Sequence, residues 1–153
     1  ENSYNILYTL YMDKNTIFSI NSDVTYGRGY VYSLQYHIGF VTKYRKPVLT
    51  GQVEADVKKH LLITLQSLDM ELIAMESMPD HVHMLVSCKP QLRLSDAVKD
   101  LKGNSARWLF LSHPEIKKSL WGGHLWDPSY FVATVSERSF DQVKAYIESQ
   151  KKK

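Results

Sequence analysis

From Tyr30 to Phe40 every even-numbered residue is apolar (Tyr30, Tyr32, Leu34, Tyr36, Ile38 and Phe40), while Ser33, Gln35 and His37 stand between them. A two-residue period places successive side chains on opposite faces of an extended chain, so this stretch predicts one continuous half-buried β-strand. An all-helical fold is excluded. Lys43-Tyr44-Arg45-Lys46-Pro47 ends the alternation, and Val53, Val57, Leu61, Leu65 and Leu68 then recur at helical spacing, predicting a helix over 51–68. Glu71–Ser77 and His81–Ser87 read as two strands joined at Met78-Pro79-Asp80, where proline and aspartate suit a tight connection. Ser95 is placed to cap a second helix with Val98, Leu101, Trp108 and Leu109 on one face and Pro114 just past its end. Tyr130–Val135 is β-branched and aromatic, and Ser139-x-x-Gln142 has the form of a capping box opening a last helix with Phe140, Val143 and Ile147. The order is strand, helix, strand, strand, helix, strand, helix. Its first six elements match the split βαβ arrangement, so the expected class is α+β: a ferredoxin-like antiparallel sheet with helices, followed by a C-terminal helix.

With 153 residues, one domain suffices, and a chain of this size buries about two thirds of its unfolded surface without metal or disulfide support. The lone Cys88 excludes an internal disulfide. No run approaches the roughly 18 apolar residues of a membrane span and no secretory pattern opens the chain, so the expected location is cytoplasmic, with no membrane partner. Residues 1–26 are rich in Asn, Ser, Thr and Tyr without a sustained period, and read as an N-terminal extension of a composition that favours partial disorder. Residues 27–153 form the expected domain. The charge is uneven: residues 1–25 hold three acids and one base, leaving +5 on residues 26–153 out of a total of +3. A basic body fits nucleic-acid binding, and it fits an ordinary solvated surface equally well.

Two local patterns can carry chemistry. In Asp80-His81-Val82-His83 the histidines are two apart in a strand, hence on one face and roughly 6.5 Å apart, a separation that suits two ligands on one metal ion. The same pattern also fits two polar side chains on the wet side of an edge strand. On the last helix Tyr146 and Gln150 are four apart and share a face, so a phenol and an amide oxygen can approach one site together. A tyrosine ring packed on the sheet with its hydroxyl in water is the plainer alternative.

Together these patterns resemble the single-tyrosine transposases of the HUH superfamily, the TnpA-type enzymes that move insertion sequences as single-stranded DNA. His81-Val82-His83 looks like the His-hydrophobic-His motif, and Tyr146 with Gln150 looks like the nucleophile helix. The likeness runs through Gly29-Tyr30-Val31-Tyr32, Lys43-Tyr44-Arg45, Met78-Pro79-Asp80, Leu101-Lys102-Gly103, Leu120-Trp121-Gly122-Gly123, Trp126-Asp127-Pro128-Ser129-Tyr130 and Val135-Ser136-Glu137. It spans about residues 27–150, and residues 1–25 have no counterpart.

The resemblance implies a divalent ion, Mg²⁺ or Mn²⁺, held by His81, His83 and Gln150, with Tyr146 as the catalytic nucleophile that forms a 5′-phosphotyrosine. No base for the Tyr146 proton is assigned. It implies binding of imperfect hairpins at element ends, cleavage and rejoining of single-stranded DNA, and a homodimer whose active sites are composite in trans. Imidazole ligands favour Mn²⁺ as a fit, whereas Mg²⁺ prefers oxygen. Lys43, Arg45, Lys46, Lys99, Lys102 and Arg107 are the candidate phosphate contacts; for the last three a solvated helix face is the alternative. Tyr44, Trp121 and Trp126 are candidate stacking platforms for unpaired bases, while Trp108 falls on the apolar stripe and is expected in the core. His37 is expected on the solvent face of the first strand, with a place near the metal as the alternative, Glu76 stays open between a supporting role and plain surface, and His60 and His113 read as ordinary helix residues. Two rival functions remain: a domesticated relative that processes chromosomal repeat hairpins, and a non-catalytic nucleic-acid-binding module of the same fold.

Overall fold

In the computed structural model the described residues are 34–135, together with the backbone of two short strands, β1 (Thr25–Gly27) and β2 (Tyr30–Tyr32), which pair antiparallel with each other. The N-terminal extension up to residue 24 and everything after Val135 lie outside the described residues. That includes the expected helix opened by Ser139, with Tyr146 and Gln150.

The alternation beginning at Tyr30 is divided between two sheets. Tyr30–Tyr32 belongs to the two-stranded ribbon, and the strand that enters the main sheet is β3 (Gln35–Val41). Period alone marks which residues are extended; it cannot say which neighbour pairs with them. Helix α1 (Gly51–Ser67), strand β4 (Glu71–Met78), strand β5 (His81–Ser87), helix α2 (Leu94–Ser112) and strand β6 (Phe131–Val135) follow. The main sheet has the order β4-β5-β3-β6 with every neighbouring pair antiparallel, so β3 and β5 are central. This is the expected ferredoxin-like order.

One face of the sheet carries both helices. Ile38 and Phe40 of β3 and Val82, Met84 and Val86 of β5 pack with Val53, Val57, Leu61 and Leu65 of α1 and Val98, Leu101 and Leu109 of α2. Trp126 joins this core edge-to-face on Phe40, ring centroids 4.6 Å apart, and its Nε1 donates to Ser105 Oγ at 2.9 Å. A stacking role for Trp126 is thereby corrected, since the ring is buried.

The helix ends follow local chemistry with two departures from expectation. Helix α1 closes with Asp69 at φ 57, the Asp69 amide on Gln66 O (3.1 Å) and the Met70 amide on Leu65 O (2.9 Å), a Schellman arrangement that also buries Met70. Helix α2 starts one residue before Ser95, with Arg93 at the N-cap and no side-chain cap bond. Trp108 is half exposed and stacked on His60 with centroids 5.4 Å apart, outside the buried stripe of Ala97, Val98, Leu101, Ser105 and Leu109.

His113, just past α2, bridges the two helices. Its Nε2 lies 2.6 Å from Asp56 Oδ2 on α1 and its Nδ1 3.3 Å from Glu115 Oε1. With a carboxylate on each ring nitrogen the imidazolium form is favoured, and the hydrogen bond to Asp56 raises its pKa above the usual 6.5. A raised histidine pKa adds stability that is fully present below the unfolded value and is lost as pH rises through the folded one. The melting temperature of the wild type should therefore fall, relative to His113→Gln, as pH is raised above about 6.5. A difference that stays flat from pH 5.5 to 9 would show that the bridge is uncharged.

Candidate active site

The face of the sheet away from the helices carries the histidines. The Pro79-Asp80 turn delivers the chain into β5, where His81 stands opposite Val41 of β3 and Met78 of β4, and His83 opposite Gly39 and Glu76. The two rings share a face, as the spacing requires. Neither is on a wet edge, because β5 is central; His83 is 1% exposed and the side chain of His81 12%.

His37 shares this face and corrects the expectation of solvent exposure: it is buried, its ring 5.5 Å from that of His83 and edge-to-face on Phe131 at 5.4 Å. The reason is local packing. β3 lies between β5 and β6, and His83 from one and Phe131 from the other bring their rings against His37. Burial lowers the pKa of His37 to about 4. Burial also lowers the pKa of His83, assisted by the neighbouring charges of His37, His81 and Lys58. In His81 burial again lowers the value, partly offset by Asp80. All three imidazoles are held toward the neutral form, the one that ligates a metal.

His81 is held by the turn before it. Its Nδ1 is 2.6 Å from Asp80 Oδ1, while Asp80 Oδ2 accepts from Arg45 Nε at 3.0 Å, with Arg45 Nη2 in ion-pair contact at 2.8 Å. Arg45 sits in a strained loop: Tyr44 and Arg45 have φ of 54° and 53°, a conformation costing non-glycine residues about 1 kcal/mol or more each. Thr42 holds that loop closed, its Oγ1 donating to Lys46 O at 2.8 Å and its amide to Asp80 O at 2.9 Å. His81 Nε2 is buried without a hydrogen-bond partner, a donor-set feature that fits a cation ligand. Among the described residues no group of three His, Cys, Asp or Glu gathers around one point.

Comparison with known proteins gives the family. Residues 30–150 match the family model described as "Transposase IS200 like". The chain belongs to the IS200-like transposases. Over 124 residues, 81% of this chain and 89% of the relative, the transposase is 51% identical to the ISDra2 transposase TnpA of Deinococcus radiodurans. It is 27% identical over 119 residues, 78% of each chain, to the transposase of insertion sequence element IS200 from Salmonella typhimurium. A crystal structure of a putative transposase from Deinococcus radiodurans superposes with a TM-score of 0.70 at 48% identity, covering 82% of this chain and 97% of that one. A REP-associated tyrosine transposase bound to a REP hairpin shares the fold, with a TM-score of 0.54 at 14% identity over 77% of this chain and 66% of that one.

The basic residues of the transposase divide by position. Lys43, Tyr44, Arg45 and Lys46 follow β3 at the His81 end of the sheet, with Lys43 Nζ 5.0 Å from the Tyr44 ring and Tyr44 65% exposed. Lys99 and Arg107 are exposed on α2, the latter bonded to Asn104 at 2.8 Å. Lys102 is committed inward: its ammonium donates to Asp127 O and Ser129 O and faces the rings of Phe40 and Tyr130. It ties α2 to the segment before β6. A cleft of about 430 Å³ opens beside it, lined by Lys43, Lys102, His124 and Asp127 among others, with Trp121 78% exposed shortly before His124 in the chain. Glu76, opposite His83, is paired to Lys58 at 3.0 Å. Among the described residues no helix is long and apolar enough to cross a membrane. With Asp80 placed in a turn and Arg45 on phosphate, the sequence does not reveal the Asp80 bond to His81 or the Arg45 bond to Asp80. The available signal was the aspartate directly before the first histidine.

Proposed function

We propose that this transposase cuts and rejoins single-stranded DNA at the ends of an insertion sequence through a phosphotyrosine on Tyr146, at a divalent-ion site of His81, His83 and Gln150. The observation that carries the proposal is the pair of histidines on the sheet face away from the helices, His83 buried and His81 half-buried with its Nε2 unpartnered. Tyr146 and Gln150 rest on the helical spacing and the family match, which extends to residue 150. Mn²⁺ suits two imidazoles better than Mg²⁺ does, and Mg²⁺ remains compatible when an amide oxygen and phosphate oxygens complete the shell. A bound ion would supply Lewis-acid polarisation of the scissile phosphate.

The roles of this chain's own groups follow from position. The Tyr146 oxygen attacks phosphorus, the phenolic proton leaves, and the released strand carries a 3′-hydroxyl. Attack by another 3′-hydroxyl on the phosphotyrosine reverses the step, so the bond energy is retained and no nucleotide cofactor is required. Lys43, Arg45 and Lys46 at the His81 end, with Lys99 and Arg107 on α2, supply cationic surface for the DNA backbone. Exposed Tyr44 and Trp121 offer faces for unpaired bases beside the Lys43 cleft. The partners are hairpin-bearing single-stranded DNA and a second copy of this chain, in the cytoplasm. Mobilisation of an insertion sequence is favoured over repeat processing by 51% identity to an insertion-sequence transposase, against 14% to the REP-associated structure.

The test is metal binding read separately from DNA binding. His81→Ala and His83→Ala should each remove the Mn²⁺ isotherm in calorimetry and abolish cleavage of single-stranded DNA carrying the element's ends. Hairpin affinity should stay within about 3-fold, because the phosphate contacts lie elsewhere. An unchanged isotherm in both variants would overturn the ligand assignment.

A further inference from the structure

Asp80 occupies a turn where its side chain needs no partner, yet both of its oxygens are engaged and by different groups. Oδ1 takes the His81 ring, and Oδ2 accepts from Arg45 Nε and forms an ion pair with its guanidinium. An ionised carboxylate is an acceptor only, so the proton between Asp80 and His81 belongs to Nδ1. That leaves the lone pair of the neutral ring on Nε2, the atom that is buried and unpartnered. A surface salt bridge formed for stability would not need this order, and one with an arginine about half exposed would contribute little. The backbone is also fixed: Asp80 O accepts from the amide of Thr42 at 2.9 Å and from its hydroxyl at 3.2 Å. The two left-handed residues 44 and 45 persist because this same set of bonds holds them.

We propose that Asp80 is a positioning residue of the metal site and that Arg45 acts through it, the pair fixing His81 in the Nδ1–H tautomer with Nε2 presented to the ion. The inference rests on His81 being a ligand, as proposed above. It gives Arg45 a role distinct from holding DNA phosphate, and it makes the Thr42–Lys46 loop part of the site's architecture. A carboxylate behind a ligating histidine raises ligand basicity and holds the ring, and losing one weakens metal affinity about 10- to 100-fold.

The experiment uses the full chain with Mn²⁺ as the probe. Asp80→Asn, nearly isosteric, should weaken Mn²⁺ binding in calorimetry about 10- to 100-fold. The Mn²⁺ concentration for half-maximal cleavage should rise by the same factor, with the maximal rate recovered at high Mn²⁺, which damage to the fold would not allow. In long-range ¹H–¹⁵N spectra without metal, His81 should be the Nδ1–H tautomer in the wild type and a mixture in Asp80→Asn. Arg45→Lys, which keeps the charge but loses the fork, should weaken Mn²⁺ binding by a smaller factor and serves as the second variant should Asp80→Asn fail to fold. Unchanged Mn²⁺ affinity in whichever variant folds, with the His81 tautomer unchanged, overturns the proposal. If Mn²⁺ binding instead survives both His81→Ala and His83→Ala, the ligand reading itself has failed, and with it the basis for any positioning role.

Discussion

Tyr146→Phe is expected to reduce strand cleavage by on the order of 10⁴-fold or more and to remove the covalent protein–DNA adduct from denaturing gels, the scale of losing an enzyme's nucleophile. Phenylalanine keeps the ring and its packing while deleting the one atom that forms the new bond to phosphorus. Hairpin binding should therefore stay within a few-fold, because the contacts proposed for it come from Lys43, Lys46 and the exposed face of α2. Mn²⁺ binding should also persist, since His81, His83 and Gln150 are unaltered. An adduct that survives in Tyr146→Phe would move the nucleophile to another tyrosine. Tyr44 would be the first to try, with an exposed ring on the loop that reaches Asp80.

The architecture was legible in the chain because each element is signalled locally. The alternation in β3, the helical stripe of α1, the Pro79-Asp80 turn and the β-branched run in β6 each answer to one periodicity or one turn preference. Where the reading failed, the deciding interaction was non-local. The single strand expected over Tyr30–Phe40 divides because residues 30–32 pair with 25–27, a partner that no period reveals. His37 looked solvent-facing because it alternates with apolar residues; it is buried because the rings of His83 and Phe131, on the neighbouring strands, pack against it. Trp108 and Trp126 exchanged fates for a similar reason. Trp126 gains a hydrogen bond from its indole to Ser105 inside the core, while Trp108 finds only His60 at the surface. The candidate site divides in the same way: the spacing of His81 and His83 gave their shared face, whereas the bonds of Arg45 and Asp80 behind His81 depend on a left-handed loop that nothing in the residue order announces.

Dimers assembled from one His81→Ala/His83→Ala subunit and one Tyr146→Phe subunit should cleave, although each parent homodimer is dead. Val135 stands level with Gln35, whereas His81 stands level with Val41, so the chain leaves β6 six residues away along the sheet, about 20 Å at 3.3 Å per residue. The segment Ser136-Glu137-Arg138 can span only about 10 Å when extended, which does not by itself return the following residues to the histidines. Either a helix beginning at Ser139 points back along its own sheet, or Tyr146 and Gln150 serve the histidines of a second copy. The second arrangement is the one we propose. In it, one site of the mixed dimer combines the intact histidines of one subunit with the intact tyrosine of the other, and the second site combines both lesions. Isolated mixed dimers, purified through two different tags, should then retain roughly half the wild-type cleavage, a gain of orders of magnitude over either parent. If the sites form in cis, every site carries one lesion and the mixed dimer is as inactive as its parents, which would refute the swapped arrangement for the conformation that cleaves.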